Sequence, residues 1–153
     1  MSLFPLFKKP AYFTAQQQEK IIEAIQQSEK RTSGEIRVYI ESRCKYVEPL
    51  DRAVELFYGL KMNETVERNA VLVYIAIKDH QLAIFADEGI HAKTGADFWK
   101  REVQLMINQF NKEDYASGLV TVIQEIGDAL YEHFPYRGDI DKNELPDNIV
   151  FGK

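Results

Sequence analysis

Arg68 to Asp97 reads RNAVLVYIAIKDHQLAIFADEGIHAKTGAD. Ala70 to Ile77 is an unbroken apolar run rich in Val, Ile and Tyr, and Leu82 to Ala86 is a second. Between them lies the polar break Lys78-Asp79-His80-Gln81. Two short β-prone runs joined by a tight polar break predict a hairpin. Neither run alternates with polar residues, so both of its faces are expected to be covered, as at the centre of a sheet and not at a wet edge. Asp87-Glu88-Gly89 then reads as an acidic loop leading to a helix start.

Outward from the hairpin, helices and one more strand follow. Thr14-Ala15-Gln16-Gln17 has the spacing of a capping box and opens a helix to about Arg31, with Ile21, Ile22, Ala24 and Ile25 inward. Glu35 to Glu41 alternates, Ile36, Val38 and Ile40 on one side and Arg37 and Tyr39 on the other, predicting a strand less buried than the hairpin. Pro49 suits the first turn of a helix running to about Met62. Strand, helix, strand makes a βαβ unit, so Glu35–Glu41 and the Ala70 run are expected to be parallel. Thr94-Gly95-Ala96-Asp97 reads as a second capping box, opening a helix through Trp99, Val103, Met106 and Phe110. Asp114 is expected to cap a last helix, stopped by Pro135, in which Gly118 and Gly127 allow close packing. The order α-β-α-β-β-α-α predicts a three-layer α/β/α sandwich with a small mixed sheet around the hairpin. Residues 14–135 form the domain; 1–13 is an extended aromatic-rich segment and 136–153 a loosely held tail.

Composition narrows the function classes. A chain of 153 residues with 45% hydrophobic and 28% charged residues is an ordinary soluble domain. A net charge of −5 lacks the basic footprint of a nucleic-acid binder. Cys44 is the only cysteine, which excludes an internal disulfide and a thiolate metal site. The amino terminus lacks the order and length of a secretory signal, and no run approaches the roughly 20 apolar residues of a membrane span, so a cytoplasmic protein is expected. No glycine-rich phosphate loop, zinc-spaced Cys/His cluster or GxSxG elbow is present.

Strand direction indicates which polar residues meet. The parallel strands begin at one end, at Gly34-Glu35 and Arg68-Asn69, and the antiparallel third strand finishes there, delivering Asp87 and Glu88. Glu35, Arg68, Asn69, Asp87, Glu88, His91 and Asp97 are therefore predicted to converge. Carboxylates with an amide oxygen form the hard-oxygen set that calcium and magnesium prefer, and Gly89 would let the backbone turn tightly. Asp97 has a competing duty as a helix cap, where the dipole disfavours a cation. Arg68 reads either as an ion-pair partner of Asp87 or as an anion binder, and His91 as a supporting loop residue.

Ser33-Gly34-Glu35-Ile36-Arg37-Val38, Arg68-Asn69-Ala70-Val71-Leu72-Val73, Asp87-Glu88-Gly89-Ile90-His91, Asp97 and the run Phe110 to Leu119 occur in an order and spacing that resembles the TPM-domain family. That family includes thylakoid-lumen photosystem-repair proteins and bacterial relatives. The resemblance covers roughly Thr14 to Pro135. It implies an α/β/α sandwich, divalent-cation binding, notably of calcium, and the acid-phosphatase activity associated with the plant branch. Many members carry an Asp before the Asn-Gly of the second strand, where this chain has Arg68-Asn69-Ala70. Many also carry a Gly-Tyr-Gly-Leu-Glu-Gly loop, where this chain has Asp87 to Ala92.

Three functions follow as expectations. The first is a calcium- or magnesium-binding domain of regulatory or interaction role, with Asp87, Glu88, Glu35, Asn69 and Asp97 as ligands. The second is a metal-dependent phosphomonoesterase in which Arg68 steadies the phosphate. The third is a metal-free module that binds a protein partner through its aromatic amino terminus or its tail.

Overall fold

The computed structural model describes residues 12–111, 114–138 and 149–152. The elements in order are α1 (Ala15–Glu29), β1 (Glu35–Glu41), α2 (Pro49–Gly59), a 3-10 turn (Met62–Glu64), β2 (Ala70–Ala76), β3 (Gln81–Ala86), α3 (Glu88–Thr94), α4 (Ala96–Asn111), α5 (Tyr115–His133) and β4 (Ile149–Phe151). The sheet order is β3-β2-β1-β4. β1 lies parallel to β2, with Glu35 beside Ala70, and β3 returns antiparallel, with Ala86 beside Val71.

The hairpin lacks polar alternation because helices cover both of its faces. Val71, Val73, Ile75, Leu82, Ile84 and Ala86 point into the larger core shared with α1, α4 and α5. Ala70, Leu72, Tyr74, Ala76 and Ala83 point the other way, onto Ala53 and Phe57 of α2 and Met62 of the 3-10 turn. The result is a three-layer α/β/α arrangement with one thick and one thin helical layer. β2 is interior to the sheet as expected, whereas β3, covered on both faces, is its edge among the described residues and pairs there with β2 alone.

Local signals account for the helix starts. Thr14 Oγ1 accepts the Gln17 N–H at 3.1 Å, and Gln17 Oε1 accepts the Thr14 N–H at 2.8 Å, so the predicted capping box forms. Pro49 opens α2. On α5, a Cβ added to Gly127 would lie 2.6 Å from Ser28 Cβ, and it is this absence of a side chain that lets α5 close onto α1.

Four expectations need correction. β1 is as buried as the hairpin apart from Tyr39: β4 pairs along its far side, and Tyr39 itself packs with Ala53 of α2. Asp87-Glu88-Gly89 is a helix start instead of a loop, with Asp87 as the N-cap of α3. The second capping box does not form: Thr94 ends α3, Gly95 turns the chain with φ 79°, and Asp97 lies in the first turn of α4. Ile149–Phe151, expected in a loose tail, pairs in parallel with Val38–Ile40 as β4. Of the amino-terminal segment, only Tyr12 and Phe13 fall among the described residues; Phe13 is buried. Among the described residues no helix is long and apolar enough to cross a membrane.

One polar pair lies between α4 and α5. Glu102 is 4% exposed and lies beside Glu125. Burial, then the neighbouring Glu125 carboxyl, push Glu102 up to about 8 against the opposing pull of Arg101. The folded protein therefore keeps a proton that the unfolded chain releases near pH ~4.3. Between these values the native state binds more protons, so this pair lowers stability as pH rises. Glu102→Gln is expected to raise the Tm at pH 8 by about 3 °C and to change it little at pH 4, as read by scanning calorimetry. An equal shift at both pH values would mean that packing, and not ionisation, is responsible.

Candidate functional site

The outer ends of the hairpin meet through one ion pair. Asp87 closes β3 by donating its N–H to Ala70 O at 3.0 Å, and its Oδ1 accepts the Glu88 N–H at 2.8 Å as the cap of α3. Its side chain is 2% exposed, so its charge needs a partner. Arg68 supplies it: Nε donates to Asp87 Oδ2 at 2.7 Å and Nη2 to Oδ1 at 2.8 Å, the bidentate fork that fits a guanidinium to a carboxylate. Nη1 donates to Glu88 Oε1 at 2.8 Å. That third arm ends on an exposed carboxylate and is screened by water, so the Asp87 fork is the stronger half. The hydrogen bonds that it donates to Asp87 raise Arg68 above its already high range, and it stays charged.

The Arg68 backbone is used as well. It is left-handed, with φ 53°, a conformation uncommon for a residue with a side chain. Its carbonyl accepts the Gly89 N–H at 2.8 Å, its N–H donates to Thr65 O at 3.3 Å, and the next N–H, of Asn69, donates to Thr65 Oγ1 at 3.2 Å. A Cβ on Gly89 would sit 2.6 Å from Arg68 O and against Glu67 O. Gly89 thus serves close approach between two backbones, and not the tight turn that the acidic loop suggested.

Around this pair the remaining expected residues divide. Asn69 is buried; its Nδ2 donates to Ser33 Oγ at 3.1 Å, while its Oδ1 is buried and meets no donor among the described residues. Glu35 is buried at the start of β1, its N–H donating to Asn69 O at 3.4 Å. The nearby Arg37 guanidinium is lowered by burial and raised by Glu35 and Glu29. His91 is exposed and touches the pair only through its backbone N–H, which donates to Asp87 O at 2.9 Å. Asp97 is exposed on α4 and joins none of these contacts.

The structure therefore unites Arg68, Asp87 and Glu88, places Asn69 and Glu35 beside them, and leaves Asp97 apart. Among the described residues no group of three or more His, Cys, Asp or Glu is arranged to hold a metal ion. The carboxylates of this end are met by guanidiniums: Asp87 and Glu88 by Arg68, and Glu67 by Arg137 at 2.6 Å. Thr65, Glu67 and Arg137 have no place in the sequence reading, and Ser33 enters it only through the motif before β1. Thr65 carried a usable signal, a hydroxyl placed to bond backbone a few residues on; Arg137 carried none.

Three substitutions at two positions test this construction. Asp87→Ala removes both the cap and the fork, and the cap alone is worth about 1 kcal/mol. Asp87→Asn keeps an acceptor for the Glu88 N–H but loses the charge, so urea midpoints should fall in the order wild type, Asn, Ala. Gly89→Ala should cost about 2 kcal/mol by forcing α3 from the Arg68 backbone; a variant as stable as wild type would contradict the close approach.

A model of the TPM domain matches residues 7–129. Among solved structures, the BA42 protein of the psychrophilic bacterium Bizionia argentinensis is similar, at 38% identity and a TM-score of 0.85, over 95% of this chain and 99% of that one. The amino-terminal domain of the cg2496 protein of Corynebacterium glutamicum shares the fold at 12% identity and a TM-score of 0.58, over 91% of this chain and 80% of that one. No protein of the curated set matches. The extent of the domain match and the likeness to BA42 lead to one conclusion: the chain belongs to the TPM-domain family.

Proposed function

We propose that this chain is a binding domain of the TPM family in which Arg68 does the electrostatic work of a divalent cation, so that its acidic end is assembled without calcium or magnesium. The observation that carries this reading is the three-armed contact of Arg68 with Asp87 and Glu88. A carboxylate pair bridged by a fixed positive charge has little left to offer a second cation, which would be repelled by the guanidinium at close range. The same contact argues against a prepared phosphate site, because the Arg68 donors that would grip a phosphate are already engaged by carboxylates. A phosphomonoester would have to displace Asp87 to be held there.

A second reading has one specific observation in its favour. The buried Oδ1 of Asn69 lacks a donor, and an orphaned hard oxygen next to the buried Glu35 is the kind of atom that a calcium or magnesium ion satisfies. On that reading Asn69 and Glu35 hold the ion, and Asp87 and Glu88 are its electrostatic surroundings.

A titration separates the two. Amide spectra of the labelled protein, recorded against calcium and then magnesium, should show no saturable shift at Glu35, Asn69, Asp87 or Glu88. Arg68→Asn, which frees both carboxylates, should acquire such shifts at millimolar cation. Saturable shifts at Glu35 and Asn69 in the wild type would overturn the first reading and establish the second.

A further inference from the structure

The free side of β3 lies at the bottom of a groove. One wall is the start of α2, with Glu48, Pro49 and Leu50; the other is α4, with Trp99, Lys100 and Val103. The groove encloses about 550 Å³, room for a short stretch of chain and not for a folded domain. None of Arg68, Asp87 and Glu88 lines it.

The floor has a specific chemical demand. In an antiparallel ladder, alternate residues turn both backbone groups toward the partner strand. The Asp87 N–H donates to Ala70 O, and this sets the alternation: Gln81, Ala83 and Phe85 face β2. Leu82, Ile84 and Ala86 therefore present their N–H and C=O groups outward. β3 pairs with no strand but β2 among the described residues, and none of their other backbone hydrogen bonds reaches these three residues. A row of unpaired donors and acceptors spaced along a strand is met by another extended backbone.

The walls narrow the choice of occupant. Because α2 and α4 flank the edge on both faces, a second copy of this chain, carrying its own helical layers, would collide with them before its sheet could pair. A lone extended segment would not. Leu50 is 52% exposed on one wall, an apolar contact for alternate side chains of that segment. On the other, Trp99 is 6% exposed and its indole N–H meets no acceptor among the described residues. A side-chain hydroxyl or amide oxygen of an inserted strand, directed at that wall by the pleat, meets it. Glu48 and Lys100, both exposed and without an ion pair among the described residues, put opposite charges on opposite walls.

We infer that the β3 edge, between α2 and α4, is a docking site for an extended peptide segment of a partner protein, which adds to the sheet as a fifth strand. Apolar side chains of that segment pack on Leu50 and the Trp99–Val103 wall, and its main chain bonds Leu82, Ile84 and Ala86. This deepens the reading of the chain as a binding domain by naming the kind of partner. It does not depend on whether a cation binds at Glu35 and Asn69, and the two experiments fail separately.

The test uses the full chain as bait for a displayed library of random peptides, with the Ala86→Pro protein as counter-bait. Proline at 86 deletes one outward donor while leaving the bonds to β2 intact. Selected peptides, made synthetically, should protect the amides of Leu82, Ile84 and Ala86 from hydrogen exchange. Affinity should fall about tenfold when alternate peptide amides are methylated, since the side chains are unchanged and only backbone donors are lost. Leu50→Lys, a substitution at an exposed position with no folding risk, should weaken binding several-fold. Three results would overturn the proposal: no peptide enriched over the counter-bait, protection mapping away from β3, or methylated peptides binding as well as the parents. A concentration-dependent dimer abolished by Ala86→Pro would also overturn it, in favour of pairing between two copies of the chain.

Discussion

All seven residues of β2, Ala70 to Ala76, are buried, and that forces a helical layer onto each face of the sheet. The odd-numbered side chains need α1, α4 and α5, while the even-numbered ones need α2 and the 3-10 turn. A sheet with one wet face could shed a helix and survive; this one cannot, because either face would then expose several aliphatic or aromatic side chains at roughly 25 cal/mol per Å². The position of α2 follows directly. It connects two adjacent parallel strands and covers the face that the later helices leave bare.

The acidic end inherits its geometry from this arrangement. β2 begins where β3 ends, so Arg68 and Asp87 are neighbours however the loops are drawn. What the sheet does not dictate is the sign of the charges delivered there. With Arg at 68 the two hairpin ends attract, and Asp87 can be buried almost completely. A carboxylate at 68 would instead face Asp87 with like charge and would need a counter-ion. The resemblance noted above places an Asp at this point in many family members, so one substitution changes what the end requires of its surroundings.

Much of the fold was legible because periodicity and turn chemistry were unambiguous at the hairpin, at the Thr14 cap and at Pro49. The misreadings share a cause. Thr94-Gly95-Ala96-Asp97 matches the capping-box spacing, yet Gly95 ends one helix before Ala96 begins the next, and spacing alone cannot show that break. Asp87 reads as a loop residue in the sequence because α3 is only seven residues long, too short for a periodic signal. Ile149–Phe151 is three residues long, and its pairing with β1 depends on a partner more than a hundred positions away, which no local pattern encodes. For the site, strand direction was enough to bring Arg68 and Asp87 together. It could not reveal the left-handed backbone of Arg68 or the crowding at Gly89, since both arise from contacts between segments and not from residue type.

The distance between β1 and β4 along the chain also bears on synthesis. β1 finds β2 soon after it is made, but its other side waits for Ile149. At about 5–20 residues per second, a ribosome needs several seconds or more to add the intervening stretch. For that interval β1 itself forms an open margin of the partly formed sheet, and the nascent chain is most exposed to pairing with a neighbouring strand on the same message. A three-residue strand is a small piece of the finished molecule. Its arrival nonetheless marks the moment at which the newborn protein stops offering β1 to other chains.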